Sequence, residues 1–420
     1  MHHLEEPVPV RVMVFNVEDG GEYVDLRKVA EAIRLADPDI VLLQEAFGNA
    51  GRIAELAGFG FVSVRTQVIA RHPIHDRDEG ADPVLVEVAP GRVIAVVTIH
   101  LPADPCGPDA AAAGALPEAI EALERRIRMP KLERRLPAAR TLIDAGVPVV
   151  LGGDFNAPSH RDWVEATVGA RPHVRVPVAW PVSRAVEEAG LRDTWREIHP
   201  DPVTDPGLTW PAFRPPVGVY DPEPDTPADR IDLLFVGGPA TVVDCRIAGE
   251  SDRPDVAVSV DPWPSDHRAV IADLQVLPAA VAGLAGSWPV LAQHVSPPSA
   301  DPLSADPLPA AATQIALTLP RPVVRVGEPV EVAWSGGLAY RWDWIAVFAT
   351  PLTGHGRDPL IWRHTGARRA GSLVLDADAA LVDQSRAGGR WPLPPGEYVV
   401  AYLFDDAPRI LATAPFTIVP

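Results

Sequence analysis

The sequence has little that would let it work through covalent cross-links, membrane insertion or bulk positive charge. Its two cysteines, Cys106 and Cys245, cannot form a disulfide framework, and neither has a neighbour at metal-ligand spacing. Both are expected to be reduced, as in a cytoplasmic protein. No window approaches the ~20 consecutive apolar residues of a membrane span. The N-terminus, MHHLEEPVPVRVMVFNV, lacks a basic region followed by an apolar one, so no signal peptide is expected. Lys and Arg total 37 against 56 Asp and Glu, a formal net charge of −19. Phosphate neutralisation drives nucleic-acid binding, so this balance argues against a general nucleic-acid surface, although a local basic patch can act against it.

Apolar sequence and proline are abundant. The apolar content of 47% is that of a globular chain, and 420 residues allow two or three domains. The N-terminal part alternates apolar strands with helices. RVMVFNV (Arg11 to Val17), DIVLLQEA (Asp39 to Ala46), VIARHPI, VLVEVAP, RVIAVVTIHL (Arg92 to Leu101), VPVVLGGDFN, RIDLLFVG (Arg230 to Gly237) and AVIADLQV (Ala269 to Val276) read as strands. Asp25 to Ala36 is helical in period, and Pro117 to Ala145 is a charged helix interrupted near Pro130 and Pro137. Strands this apolar are covered on both faces, as in layered α/β architectures. From Pro278 to Ala312 the composition shifts to Ala, Pro and Ser, with the tandem SADPLSADPL, which reads as an extended linker. Beyond it, short strands separated by Gly and Pro turns signal a small β-sandwich.

Several apolar runs end in polar groups. In GDFN, Asp154 and Asn156 stand two apart, which in an extended chain projects them to one side. Asn16 follows VMVF, Glu45 closes VLLQE, and His100 closes VVTIH. Asp232 opens IDLLF with Arg230 beside it, and Asp266-His267 precedes AVIADLQV. Each has an ordinary role open to it when taken singly: a turn residue, a cap, a core histidine, a structural ion pair, a strand lead-in. Their collection at strand ends within one domain is the informative observation.

The segments VMVFNVEDGG, DIVLLQEA, TIHL, GGDFNAPS, DRIDLLF and SDHRAV, in that order from Arg11 to Val276, resemble the successive motifs of the endonuclease/exonuclease/phosphatase superfamily. That group includes DNase I, abasic-site endonucleases of the exonuclease III type, bacterial sphingomyelinases and inositol polyphosphate 5-phosphatases. GLTWP (Gly207 to Pro211) is similar to the segment that precedes RID in that family. The resemblance implies a DNase I-like four-layer α/β sandwich, with two mixed sheets face to face and helices outside, and Mg²⁺- or Mn²⁺-dependent phosphoester hydrolysis. The C-terminal segment, with WDWIAVFA, GEYVVAYLFDD and ATAPFTIV, is similar to immunoglobulin-like sandwiches of the SKICH type. The expected organisation is a catalytic domain over 1–278, a Pro/Ala-rich linker over 279–312 and an immunoglobulin-like β-sandwich over 313–420.

Phosphoester hydrolysis needs charge neutralisation, a positioned water and a proton for the leaving oxygen. Oxygen ligands suit a hard divalent cation, so Glu45, Asn16 and Asp266 are the expected metal ligands. Asp154 is expected to accept a proton from the attacking water or to orient it, and Asn156 to hold that water or a phosphoryl oxygen. His267 is expected to face the phosphate with Asp232 on its other nitrogen, which favours the imidazolium. By the family comparison, His100 binds a phosphate oxygen or serves the leaving group. Asp76, Asp78 and Glu87 are each open as its carboxylate partner. Arg230, Trp210 and Trp263 are expected at the substrate, although tryptophans here also suit the role of loop anchors.

The function expected from this set is hydrolysis of a phosphodiester or phosphomonoester of a small molecule or lipid headgroup. A Mg²⁺-dependent nuclease is the second reading and a catalytically silent binding scaffold the third. A phosphoester panel separates the three.

Overall fold

The computed structural model describes residues 6–76, 83–216, 221, 226–281, 284, 293–294, 315–337, 343–352, 359–365, 368–376, 391–403 and 410–420. The chain divides into two compact units, one of residues 1–77 and 82–302, the other of 78–81 and 303–420.

In the first unit, two sheets are built from the apolar runs. Val8–Asn16 pairs in parallel with Ile40–Gln44 and antiparallel with Ala269–Val276, at the centre of an eight-stranded sheet. Arg92–His100, Val149–Asp154 and Asp232–Gly237 lie side by side in a seven-stranded sheet. Alternation along each strand explains why these segments are apolar throughout. Val10, Val12 and Val14 point inward, into a core shared with Ile94, Val96, Val150, Leu234 and Val236 of the facing sheet. Ala95, Val97 and Ile99 point outward, beneath the helix residues Ile120, Leu132, Leu142 and Val186. Leu26–Ala36 opens at Asp25, whose carboxylate accepts from the Arg27 N–H, and it buries Leu26, Val29 and Ile33. The result is the four-layer α/β sandwich expected from the sequence.

The charged helical stretch is broken into Pro117–Ile127, Met129–Glu133 and Leu136–Asp144, with Pro130 and Pro137 each in a first turn, where the missing N–H costs nothing. Two features depart from the sequence reading. Between Asp154 and Arg230, Pro181–Glu188, Leu191–Asp193 and Thr194–Ile198 are regular elements that the strand and helix patterns did not mark. Ala240–Gly249 is a further strand, whose mixed polarity reflects one partly solvated face. Past Pro278, Ala279–Ala280 pairs with Arg92–His100 and Gln293–His294 pairs with Phe61–Ser63, so the start of the expected linker is tied to the first unit. Val281 donates its N–H to the Gly91 carbonyl and Leu284 to the Val281 carbonyl; the rest of 279–312 lies outside the described residues. No helix among the described residues is long and apolar enough to cross a membrane.

The second unit has a three-stranded and a five-stranded sheet. Val332, Trp334 and Leu375 of the first pack with Ile345, Val400, Tyr402 and Phe416 of the second in one core, a β-sandwich.

The glycine pair of LGGDFN is required by close approach. A Cβ on Gly153, at φ +144, would lie 1.8 Å from the Ile99 carbonyl oxygen, and one on Gly152 would meet Val14 and Leu234 of both sheets. Gly153→Ala is expected to cost about 2–4 kcal/mol of stability, measured by denaturant unfolding, because backbone is displaced next to Asp154. A wild-type midpoint would contradict this account of the strand.

Candidate active site

Strand register brings the site together. His100 pairs with Asp154 across one ladder and Asp232 pairs with Asp154 across the next, so three functional side chains stand abreast on one sheet. The facing sheet supplies Asn16, in register with Gln44 immediately before Glu45, and His267, two residues before the strand that begins at Ala269. Glu18, Asp19, Glu45 and Asn156 all adopt left-handed backbone (φ 54, 44, 57 and 48°). Strain of this kind in non-glycine residues is held only where the surroundings fix it, and it gathers at functional sites.

Asn16, fully buried, links the two sheets. Its Nδ2 donates to Glu45 Oε1 at 3.0 Å and to Asp154 Oδ2 at 3.0 Å, and lies 3.3 Å from His267 Nε2. Its Oδ1 accepts from the Glu18 N–H at 3.1 Å, which fixes the orientation of the amide. Asn16 therefore turns its nitrogen, not its oxygen, toward Glu45. It positions the candidate ligand carboxylate instead of serving as the metal ligand the sequence suggested.

His267 Nδ1 lies 2.9 Å from Asp232 Oδ2, and its Nε2 is 3.8 Å from Asp154 Oδ2. Burial opposes protonation of His267, but Asp232, Asp266 and Asp154 more than offset it, and its pKa is raised well above the usual imidazole value. Asp154 is pushed up to about 7 by burial and then by Asp232, against the pull of His267 and the Asn156 and Asn16 donors. Asn156 donates its backbone N–H to Asp154 Oδ1 at 2.7 Å, and its Nδ2 to Asp154 Oδ2 and to the Leu101 carbonyl, each at 3.0 Å. Its amide nitrogen thus orients Asp154. His100 Nε2 sits 3.7 Å from Asp154 and 3.8 Å from Glu45. Of the carboxylates left open for His100, Glu87 accepts from His75 and Gly91, Asp76 accepts from Ser63, and Asp78 lies outside the described residues.

Glu45 is pushed up to about 8, first by burial and then by Asp266, although 24% of its side chain is open at the surface. The carboxylates Glu45, Asp154, Asp232 and Asp266 outnumber the imidazoles His100 and His267. Ligand atoms of Glu45, His100 and Asp154 lie within 4.8 Å of one another, as do those of Asp154, Asp232 and His267. Oxygen-rich, proton-retaining and short of positive charge, this donor set fits a hard divalent cation. Glu45 would hold it, with Asp266 beside it.

Two expected substrate contacts are corrected. Arg230 is 2% exposed, and its guanidinium is consumed by Asp162 (2.9 and 3.0 Å) and Asp193 (2.7 and 3.0 Å). Trp263 is 1% exposed, packs against Phe15 with the rings tilted by 33°, and donates Nε1 to the His267 carbonyl at 2.7 Å. Both support the site from behind. Trp210 is different: it is half-buried, 6.4 Å from the His267 ring, with Nε1 donating to Asp266 Oδ2 at 3.1 Å. Sequence reasoning passed over Ser265, whose hydroxyl donates to the Asn16 carbonyl and accepts from the His267 N–H. Its place between Pro264 and Asp266-His267 was the available signal. It also passed over Glu18, which accepts from the Asp266 N–H and pairs with Arg214 from a segment 196 residues away. Only folding joins that pair.

The sequence model of the Endonuclease/Exonuclease/phosphatase family matches residues 13–267. An uncharacterized Caenorhabditis elegans protein is 32% identical over 289 residues, covering 63% of this chain and 90% of its own length. Among solved structures, D. rerio TDP2 complexed with single strand DNA product is similar at 16% identity and a TM-score of 0.38, covering 63% of this chain and 98% of that one. The Bacteroides thetaiotaomicron mannosyl-6-phosphatase is similar at 16% identity and a TM-score of 0.35, covering 63% of this chain and 99% of that one.

Cation binding has a readout independent of turnover. Mg²⁺ or Mn²⁺ added to metal-free protein is expected to raise Tm and release protons, and Glu45→Gln to lose both responses. An equal Tm gain in the variant would remove Glu45 from the metal site.

Proposed function

The chain belongs to the Endonuclease/Exonuclease/phosphatase family, and from that premise we propose that it hydrolyses a phosphodiester or phosphomonoester of a small molecule or lipid headgroup. The observation that carries the chemistry is the buried cluster of Asn16, Asp154, Asp232 and His267, in which an acid held up to about 7 faces a strongly basic imidazole. A bound divalent cation supplies charge neutralisation at the phosphate and acidifies water.

The chain's own residues do the rest. Asp154, near neutrality and aimed by Asn156 and Asn16, takes a proton from the attacking water as the new P–O bond forms. His267, protonated and held by Asp232, presents Nε2–H to a phosphoryl oxygen and stabilises the charge that grows there. The ester P–O bond opposite the water breaks, and His100 is assigned to deliver the proton that the departing alkoxide needs.

The substrate preference rests on the arginines around the site. Arg171 is paired with Asp229, Arg214 with Glu18 and Asp221, Arg230 with Asp162 and Asp193, and Arg268 with Glu250 and Asp255. A polyanionic backbone is gripped by unpaired Lys and Arg, and these are committed internally. That favours a compact phosphoester over a nucleic acid.

With Mg²⁺ or Mn²⁺, wild type is expected to cleave bis-p-nitrophenyl phosphate or a phosphomonoester faster than plasmid or single-stranded DNA. Asp154→Ala and His267→Ala are each expected to lower kcat on the order of 10³-fold. DNA as the best substrate would favour the nuclease reading, and inactivity on every ester would favour a binding scaffold.

A further inference from the structure

The two members of the Asp232–His267 pair come from different sheets, so their 2.9 Å contact is only as good as the seam between those sheets. Asp232 is fully buried, and one of its two oxygens, Oδ1, has no hydrogen-bond partner among the described residues. Oδ2 meets His267. The aim of this carboxylate is therefore not set by a ring of side-chain donors. It is set by where the backbone at residues 231–232 is held.

The Thr209 hydroxyl lies at that backbone. Thr209 is fully buried, and its Oγ1 accepts from the Ile231 N–H at 3.0 Å and the Asp232 N–H at 3.0 Å. Its carbonyl accepts from the Arg268 N–H at 2.8 Å, one residue after His267. One residue thus holds the strand entry that carries Asp232 and the strand lead-in that carries His267. Neighbouring bonds make the same crossing. Trp210 exchanges backbone hydrogen bonds with Asp229, its indole donates to Asp266, and the Ala212 N–H donates to the Asp266 carbonyl at 2.6 Å. Residues 209–212 form a clip between the sheets, and Thr209 is its buried end.

We propose that Thr209 is a positioning residue of the phosphoesterase site, acting through Asp232 to set the orientation of His267. This rests on the hydrolytic reading of the site. A hydroxyl suits the task because it accepts two converging N–H groups within the volume of a small side chain. The methyl of Val, of nearly the same shape, accepts none. The two N–H groups would then have to move toward other partners, because leaving them buried and unpaired is costly. A shift of about 1 Å at a catalytic group costs on the order of 10²-fold in rate.

The test compares Thr209→Val and Thr209→Ser in the full chain. Thr209→Val is expected to lower kcat on the order of 10²-fold with KM within about twofold of wild type, and Thr209→Ser to stay near wild type. In an Asp232→Asn background, Thr209→Val is expected to cost less than about threefold more, because the residue through which it acts is already disabled. Should Thr209→Val not fold, Thr209→Cys, whose sulfur is a weak acceptor, is held to the same criteria. A second readout needs no turnover: the His267 ring N–H resonance, assigned by its loss in His267→Ala, is expected to persist in Thr209→Ser and to shift or broaden in Thr209→Val. Wild-type kcat together with an unmoved resonance in the Val or Cys variant overturns the proposal. So does a full loss in the Asp232→Asn background. If wild type hydrolyses no ester, the functional reading fails, and the resonance alone decides the role of Thr209.

Discussion

The meeting of the two sheets at the candidate site turns on one primary amide. Asn16 ends the central strand of one sheet, and its NH₂ ties Glu45 of the same sheet to Asp154 of the other. Its carbonyl oxygen is occupied by the Glu18 N–H, so the amide cannot turn over without stranding a buried donor. Two carboxylates drawn to the same nitrogen are held closer than their charges favour. Left-handed backbone at Glu18, Asp19, Glu45 and Asn156 gathers around the same amide. The sandwich core beneath, filled from both sheets, keeps the strand ends from relaxing apart.

Charge follows from this geometry. Burial withholds the water that would stabilise carboxylates, so Glu45 and Asp154 retain protons to about 8 and about 7, whereas His267 is raised well above the usual imidazole value against its burial by Asp232, Asp266 and Asp154. Such a site is incomplete without a cation or a proton, which suits it to a divalent metal and suits Asp154 to the proposed role of base. Around it the arginines are spent on neighbouring carboxylates, most completely at Arg230, where Asp162 and Asp193 take the whole guanidinium face. The scaffold thereby gains a rigid floor behind Asp232.

Much of the fold was legible because the sandwich buries both faces of its strands, and a short run that is apolar at every position suits few environments besides such a doubly covered strand. The prolines at 130 and 137 marked breaks in the helical stretch by local stereochemistry alone. The site was legible as a set of strand ends, since His100, Asp154 and Asp232 each sit where an apolar run meets polar sequence. Arg230 and Trp263 were misplaced at the substrate because closeness in sequence to Asp232 and His267 says nothing about which way a side chain turns. The strand Ala240–Gly249 was missed because its exposed positions interrupt the apolar pattern.

By itself, the sequence determined which residues end their strands in metal- and proton-handling groups, because hydrophobic periodicity is a local property. The layered α/β class follows from the same pattern, and the four-layer sandwich from the family resemblance of the motifs. Only the tertiary structure decided how those ends meet: that Asn16 presents nitrogen to Glu45, that Asp154 stands between His100 and Asp232, and that Thr209 holds the entry to Asp232. Register and side-chain direction depend on contacts between segments up to about 250 residues apart, from Asn16 to His267. No local pattern carries that information, because a shift of one residue in pairing turns every side chain to the opposite face.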